Sequence, residues 1–505
     1  MARIPLQLPP GLVSDDTDFS NGGWAEASGV RFRSPAPGKL ALPEIIGGFE
    51  KLSTTALTGV CRTIFEWSDG ENLKTFAFGL HNGLTVWQAG DQADITPASG
   101  FTAGQINGSG GSGYGTGSYG VGDYGEPSTD DYFPLTWSFG TRSFGELYAN
   151  PRGQGIFKWD NDTGTPAALL ADSPAQCNFL SVAFTDQVMA FGCTDVGGNF
   201  NASCIRISDT EDPTEWTPGT ANNSQQYYLS GNSRIVGARP IGRYYHVWTA
   251  NQLHFGTYST GWDFEPVSTG CGLAGPNAAV VVDGVSYWIS PDLQFWVCPL
   301  GGQPAVLKCP IRTDFVENAA IGQNDKIVAS YIAEVGEICF DYADKRDGYE
   351  VSRRLQYSVQ EGAWSATQTN PRTAFVGASP NPVGTSYEGT IYWHERGKSA
   401  DGGPLAASIK TGGQYMDPAE RVMLLRGLWP DFRDQTGPIW LTIWSRFYPQ
   451  DAPVEHGPFT LAPNADKVDF LVTGRIFEFE FSSNSAPSSW RMGKPSFDAQ
   501  VVGQR

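Results

Sequence analysis

The chain has 505 residues, more than one hydrophobic core requires, so a large domain with a smaller companion is expected. Aromatics make up 13% of residues, with 61 Gly and 34 Pro and only 17% charged residues, a mixture that favours many short strands joined by tight turns. Against 34 Lys and Arg stand 53 Asp and Glu, a formal net charge of −19, and no basic run interrupts that balance, which sets aside binding to nucleic acid through neutralised phosphates.

The opening, MARIPLQLPPGLVSDD, has no continuous apolar region, so it does not read as a signal peptide, and no later stretch approaches the roughly 20 apolar residues of a membrane span. Assembly in a cytoplasm is therefore expected. Residues 1–55 read as an extended arm, rich in turn formers before Val30-Arg31-Phe32-Arg33. From about residue 57 the pattern changes to short β-branched and aromatic runs: VCRTIFEW (60–67), LKTFAFGL (73–80) and LTVWQ (84–88). Asp69-Gly70 and Asn82-Gly83 stand between them, and two hairpins are predicted with positive φ at those pairs.

A gap in the pattern follows. Residues 104–130 carry a Gly/Ser/Tyr-rich insertion whose composition builds no core. The segment reads as a flexible surface loop; the alternative is an adhesive loop in which the interleaved Tyr114, Tyr119 and Tyr124 are candidate contacts to a neighbouring subunit, because aromatics give contact area at low entropy cost. The strand, tight turn, strand phrase then returns at 179–193, 243–259, 279–297, 326–343 and 386–395, often closing on Trp. A recurrence of about 40 to 60 residues is the period of propeller blades. The expectation is an all-β chain whose residues 56–415 form a β-propeller of six or seven blades. After residue 415, PIWLTIWSRFYP (438–449), KVDFLVTG (467–474) and GRIFEFEFSS (474–483) alternate like strands, and RVMLLRGLWPDF (421–432) begins as a short helix or strand, so 416–505 is assigned to a small C-terminal β domain.

Motifs with chemistry are few. Gly115-Thr116-Gly117-Ser118-Tyr119-Gly120 matches G-x-G-x-x-G, yet no strand precedes it and no helix follows to hold a phosphate. The eight cysteines are scattered without a C-x-x-C pair, in contexts of buried free thiols. The five histidines have no metal-ligand spacing, and His246 and His254, on neighbouring strands of one predicted hairpin, are read as packing residues. Asp209, Glu211, Asp212 and Glu215 lie in a segment only distantly like the Asp box of bladed sialidases, and read as a solvated turn. No catalytic residue, cofactor site or metal site is assigned, and the chain is not expected to be an enzyme.

Three segments together resemble structural proteins of podovirus tails, the nozzle or hub class of short-tailed bacteriophages. They are Asp15 to Arg33 followed by Gly47-Gly48-Phe49; CIRISDTEDPTEWTPG (204–219); and Trp429-Pro430-Asp431-Phe432, Gly474-Arg475, Trp490-Arg491-Met492-Gly493 and Phe497-Asp498. The resemblance implies a homohexameric ring in the virion tail, docked beneath an adaptor (head-to-tail connector) and carrying tail fibres or tailspikes. Its propellers would lie outside an axial channel that genome DNA traverses without specific binding. Arg31, Phe32 and Arg33 would then be arm contacts, and Tyr114, Tyr119 and Tyr124 loop contacts. The alternative expectation is a glycan-binding or glycan-cleaving β-propeller, of a phage or a bacterium, with clustered aromatics and paired acids in a groove.

Overall fold

The computed structural model describes residues 2–15, 22–36, 38–68, 73–108, 133–143, 145–231, 233–320, 322–378 and 380–503. Seven four-stranded antiparallel sheets follow one another along the chain. Blades 1 to 6 occupy 61–94, 137–169, 177–228, 235–269, 279–306 and 328–367. Blade 7 takes three strands from 374–394 and its outermost from Phe49–Lys51, which pairs with Ile391–His394. The innermost strands are Cys61–Ser68, Trp137–Thr141, Cys177–Val182, Ile235–Ile241, Ala279–Val282, Val328–Ile332 and Ala374–Val376. Each touches the next, and the last touches the first, so the sheets close into a seven-bladed β-propeller.

Blades adhere through large aromatics set against small residues. Trp137 of blade 2 is buried over Gly79 of blade 1, where an added Cβ would come within 2.5 Å of the indole, and its Nε1–H donates to the Leu80 carbonyl at 2.8 Å. Trp248 and Trp288 join blades 4 and 5 with ring centroids 5.5 Å apart, and Phe76 meets Trp393 edge-on across the closure between blades 1 and 7. Such a ring pair contributes about 0.5–1.5 kcal/mol beyond its buried area. All eight cysteines are buried and free in this packing.

The first hairpins differ from expectation in one detail. Leu80 pairs with Gly83, so the turn consists of His81 and Asn82, and neither Asn82 nor Gly83 has positive φ. His81 anchors this turn instead, its amide donating to the Val60 carbonyl and its Nδ1 accepting from the Val60 amide at 3.0 Å. Gly83 is required by the close approach of Thr96 Oγ1. The Asp69-Gly70 pair lies outside the described residues.

The remaining strands form three sheets of an end module, and here the chain's beginning and end interleave. Ala2–Pro5 pairs with Ser496–Gly503, followed by Val422–Trp429 and Val468–Gly474. Trp24–Ser28 pairs with Leu405–Thr411 in a sheet continued by Ile476–Ser485, Ile439–Arg446 and Val454–Leu461. Val30–Arg33 and Leu42–Ile45 complete the third with Ser489–Met492 and Phe432–Thr436. The described parts of 1–55 are thus not an extended arm but strands of two structures, and the module begins at Leu405, ahead of the expected boundary at 416. The physical reason is edge satisfaction: without the opening strands, strands of the module and of blade 7 would bury unpaired amides and carbonyls. The alternating Val422–Trp429 is a strand.

Gly47 and Gly48 carry the chain from the module into blade 7, where added Cβ atoms would meet Glu395 at 2.6 Å and the Ser399 carbonyl at 2.4 Å. Beside them lies a buried charge cluster. Arg31 donates both Nη atoms to Glu395, at 2.8 and 2.5 Å, its Nε lies 3.2 Å from Glu337 of blade 6, and the Gly47 amide donates to Glu395 at 3.0 Å. Burial alone would raise the Glu395 carboxyl, but the Arg31 guanidinium and that amide hold it below the usual carboxylate range. Burial lifts Glu337 above that range despite the same guanidinium.

Arg31→Met leaves two acids in this site without their cation. A loss of about 3–5 kcal/mol at pH 7 is expected by urea denaturation. The depressed Glu395 contributes stability above the unfolded carboxylate value and loses it as pH falls, whereas the substituted site is relieved by protonation. The gap between wild type and variant should therefore narrow below roughly pH 5.

Candidate functional site

Inner strands of a propeller converge on an axial channel, and here it holds a cavity of about 370 Å3. Blades 1, 4, 5, 6 and 7 supply its walls, with Arg62, Arg239, Asn277, Ser330, Tyr331 and Phe375 among the lining side chains. Asn277 of blade 5 reaches across to blade 1, its Nδ2 donating to Thr63 Oγ1 at 3.1 Å. A volume near the lower end of small-molecule sites leaves room for a compact ligand and none for a duplex.

One mouth of the channel lies where the chain enters the innermost strands, and it is crowded with charge. Arg62, 2% exposed, forms a fork with Glu350 at 2.6 and 2.8 Å and donates to the Ile106 carbonyl at 2.8 Å. Lys326 donates to Asn107 Oδ1 at 2.6 Å and to the Tyr349 carbonyl, with Glu350 3.8 Å away. Arg152 pairs with Asp325 at 2.9 Å and lies over the Phe133 ring, which Arg234 covers at 4.6 Å. Four cations thus surround two carboxylates on a chain whose overall charge is −19. Burial and the neighbouring Arg62 push the Lys326 ammonium down to about 8, while Arg62 and Lys326 overcome burial to hold Glu350 below the usual carboxylate range.

Arg239 differs from these cations. It donates to the carbonyls of Ala279, Ala238 and Pro276 at 3.2, 2.9 and 2.9 Å and stacks over Phe179, but has no carboxylate partner among the described residues. Burial pushes it down to about 10.

The residues singled out from sequence fall elsewhere. Arg31 and Phe32 are buried in the end module and only Arg33 is exposed, so Arg31 serves the internal cluster with Glu395 and Glu337. Tyr114, Tyr119, Tyr124 and the G-x-G-x-x-G segment lie outside the described residues. The flanks of that insertion are fastened at the channel mouth, Gly108 through two hydrogen bonds with the Gln323 side chain and Phe133 between Arg152 and Arg234. Asp209 accepts from the amides of Glu211, Asp212 and Asn223, and Asp212 accepts from Thr214, so this acidic segment folds as a self-bonded turn beside buried Trp216. His246 bonds Ser286 Oγ at 2.8 Å, and burial pushes it down to about 4. Among the described residues no His, Cys, Asp or Glu group is placed to hold a metal ion, and no helix is long and apolar enough to cross a membrane. Sequence reasoning missed Arg62, Arg239, Lys326 and Glu350. The available signal was a charge inside or just before an apolar inner strand, as in VCRTIFEW and IVGARPI.

Glu350→Gln leaves Arg62 and Lys326 with no neutralising carboxylate. A loss of about 2–4 kcal/mol is expected, less than for a fully enclosed pair because Glu350 keeps part of its side chain in water. Adding Lys326→Met should recover part of that loss. In the wild type the unfolded chain binds more protons than the folded one from about pH 8 to the ordinary lysine value, so Lys326 makes stability rise with pH through that window. Denaturant titrations of Lys326→Met should lack this rise.

No protein-family model and no curated protein matches the sequence. Among solved structures the chain is similar to the computationally designed Ika8 protein, at 14% identity and a TM-score of 0.37 over 68% of this chain and 99% of that one. It is also similar to BamB from Moraxella catarrhalis, at 13% identity and a TM-score of 0.35 over 68% of this chain and 97% of that one. At such scores the likenesses carry no argument; the seven-bladed propeller rests on its own closed strand topology.

Proposed function

We propose that this chain is a structural subunit of a short-tailed bacteriophage tail, of the nozzle or hub class, and not an enzyme. One observation carries the reading. Parts of the opening and closing segments that resemble tail proteins, nearly 400 residues apart, meet in one sheet, where Val30–Arg33, continued by Leu42–Ile45, lies with Ser489–Met492 and Phe432–Thr436. Glu44 accepts from Arg491 Nε at 2.6 Å across it, and Phe432 meets Trp490 edge-on. The middle segment, 204–219, lies apart in blade 3, so the reading rests on the meeting of the two ends. The propeller's own channel is too small for duplex DNA, so in this reading the genome passes along the axis of a homo-oligomeric ring, with propellers outside and an adaptor and fibres as partners.

Native mass spectrometry of the full chain, with class averages of the protein bound to purified adaptor, tests the assignment. Rings of about six subunits that match density at a virion tail are expected; absence of the chain from virions overturns it.

A second reading, glycan binding, is favoured by the outward face of the end-module sheet that contains Ile439–Arg446 and Ile476–Ser485. Trp440 and Trp444 stand there in register with Ser482 and Glu478. Burial and the nearby Glu26 and Glu455 raise Glu480 above the usual carboxylate range, although Lys410 opposes the shift. If that face stacks sugars, host-surface saccharides should quench tryptophan fluorescence in the wild type and not in Trp444→Ala. Unchanged fluorescence at saturating saccharide removes this reading.

A further inference from the structure

The axial cavity combines three features that the fold by itself does not require. Arg239 brings a guanidinium to its wall with only neutral acceptors around it, and at least one of its five N–H groups has no partner among the contacts of the described residues. Ser330, on the wall from blade 6, is 5% exposed and its Oγ has no hydrogen-bond partner among the described residues. Arg62, on the wall from blade 1, is 2% exposed and its Nε has no partner among the described residues, although its two Nη atoms are held by Glu350.

Buried polar groups in folded proteins are almost always satisfied, and a buried cation without a counter-charge is costlier still. Three donors around one cavity keep unused hydrogen-bonding capacity among the described residues, and of the two guanidiniums Arg62 is already paired with Glu350 while the part-buried Arg239 has only neutral partners; together they describe a receptor whose complement is missing. The complement must accept hydrogen bonds and carry negative charge. No acid is among the described residues that line the cavity; Asp283, near Tyr331, is exposed in the turn after the innermost strand of blade 5, at the end opposite the charged mouth.

We propose that the channel cavity is a binding site for a small oxyanion-bearing molecule, a carboxylate or a phosphate, held by Arg239 with Ser330 and Arg62. Oxyanions match the donor set: a planar guanidinium engages carboxylate and phosphate oxygens in paired, charge-assisted hydrogen bonds, and a hydroxyl adds a third donor. The cavity volume limits the ligand to a compact metabolite or inorganic ion, which excludes a nucleic-acid strand. The site stands on the channel alone and is independent of the tail reading.

Isothermal titration of the full-length protein with inorganic phosphate, sulfate and citrate, at matched ionic strength and with chloride as the reference, tests the site. At least one oxyanion should bind and also raise the unfolding temperature, since a ligand that binds only the folded state stabilises it. Phosphate and citrate separate the two chemistries. Arg239→Gln should weaken that binding at least tenfold and Ser330→Ala several-fold, while Arg433→Gln, a change at a solvent-exposed arginine of the end module, should leave it unchanged. Ser330→Ala removes no side-chain hydrogen bond among the described residues, so it keeps the test open if Arg239→Gln fails to fold. The proposal is overturned if no oxyanion binds more tightly than chloride. It is overturned equally if binding is unaltered in a folded Arg239→Gln protein, or in Ser330→Ala where only that variant folds.

Discussion

A ring of blades is stable only when it is closed, because an open ring exposes the face of a terminal sheet and the edge of its last strand. Here closure depends on three residues, Phe49–Lys51, added from the start of the chain to strands made some 340 residues later. Immediately before them, four further strands are built into the end module, so one continuous segment fastens both bodies. The Arg31 cluster sits where the segment passes between them, with Glu395 from the end of blade 7 and Glu337 from blade 6 on one guanidinium. The hydrophobic core follows the same path: one buried cluster runs from the end module through blades 4, 5 and 6. Propeller and module therefore behave as a single packed body.

Local chemistry made the blades legible in the sequence. Runs such as LKTFAFGL and RYYHVWTANQLHFGTYS state a hairpin in adjacent residues, because the partner strand is always the next one along. Blade number was harder to read. The recurring phrase falls on the first and second strands of blade 3 but on the second and third of blade 4, so counting phrases does not count blades. The opening strands were not legible at all. Val30–Arg33 reads like an exposed basic tetrad, and nothing nearby reveals that Arg31 meets carboxylates 306 and 364 residues away. Long-range antiparallel pairing leaves no local periodicity beyond that of a short strand.

The charged groups divide along the same line. Acidic clusters conspicuous in the sequence, such as Asp209 to Glu215, resolve into side chains bonding the amides of their own turn. The cations around the channel are inconspicuous because they come from four different blades: Arg62, Arg152, Arg234 with Arg239, and Lys326. Radial symmetry gathers them, as it gathers any residue placed near the start of an inner strand. A net charge of −19 thus coexists with a positive axis, and whole-chain charge says little about the potential inside the ring.

The pairing of Phe49–Lys51 with Ile391–His394 also sets an order of events during synthesis. Phe49 leaves the ribosome early, yet its partner follows only after about 340 further residues, which at roughly 5–20 residues per second is about 20–70 s. Six blades can stack in that interval while Ala2–Pro5, Trp24–Ser28 and Phe49–Lys51 wait for partner strands that have not yet been made. Their edges are open to any other nascent chain for that time, and in a polysome the nearest such chain is another copy of the same protein. Exchange of opening segments between neighbouring copies would satisfy every strand equally well, so correct self-closure depends on the tethered segment outcompeting its neighbours at the moment blade 7 emerges.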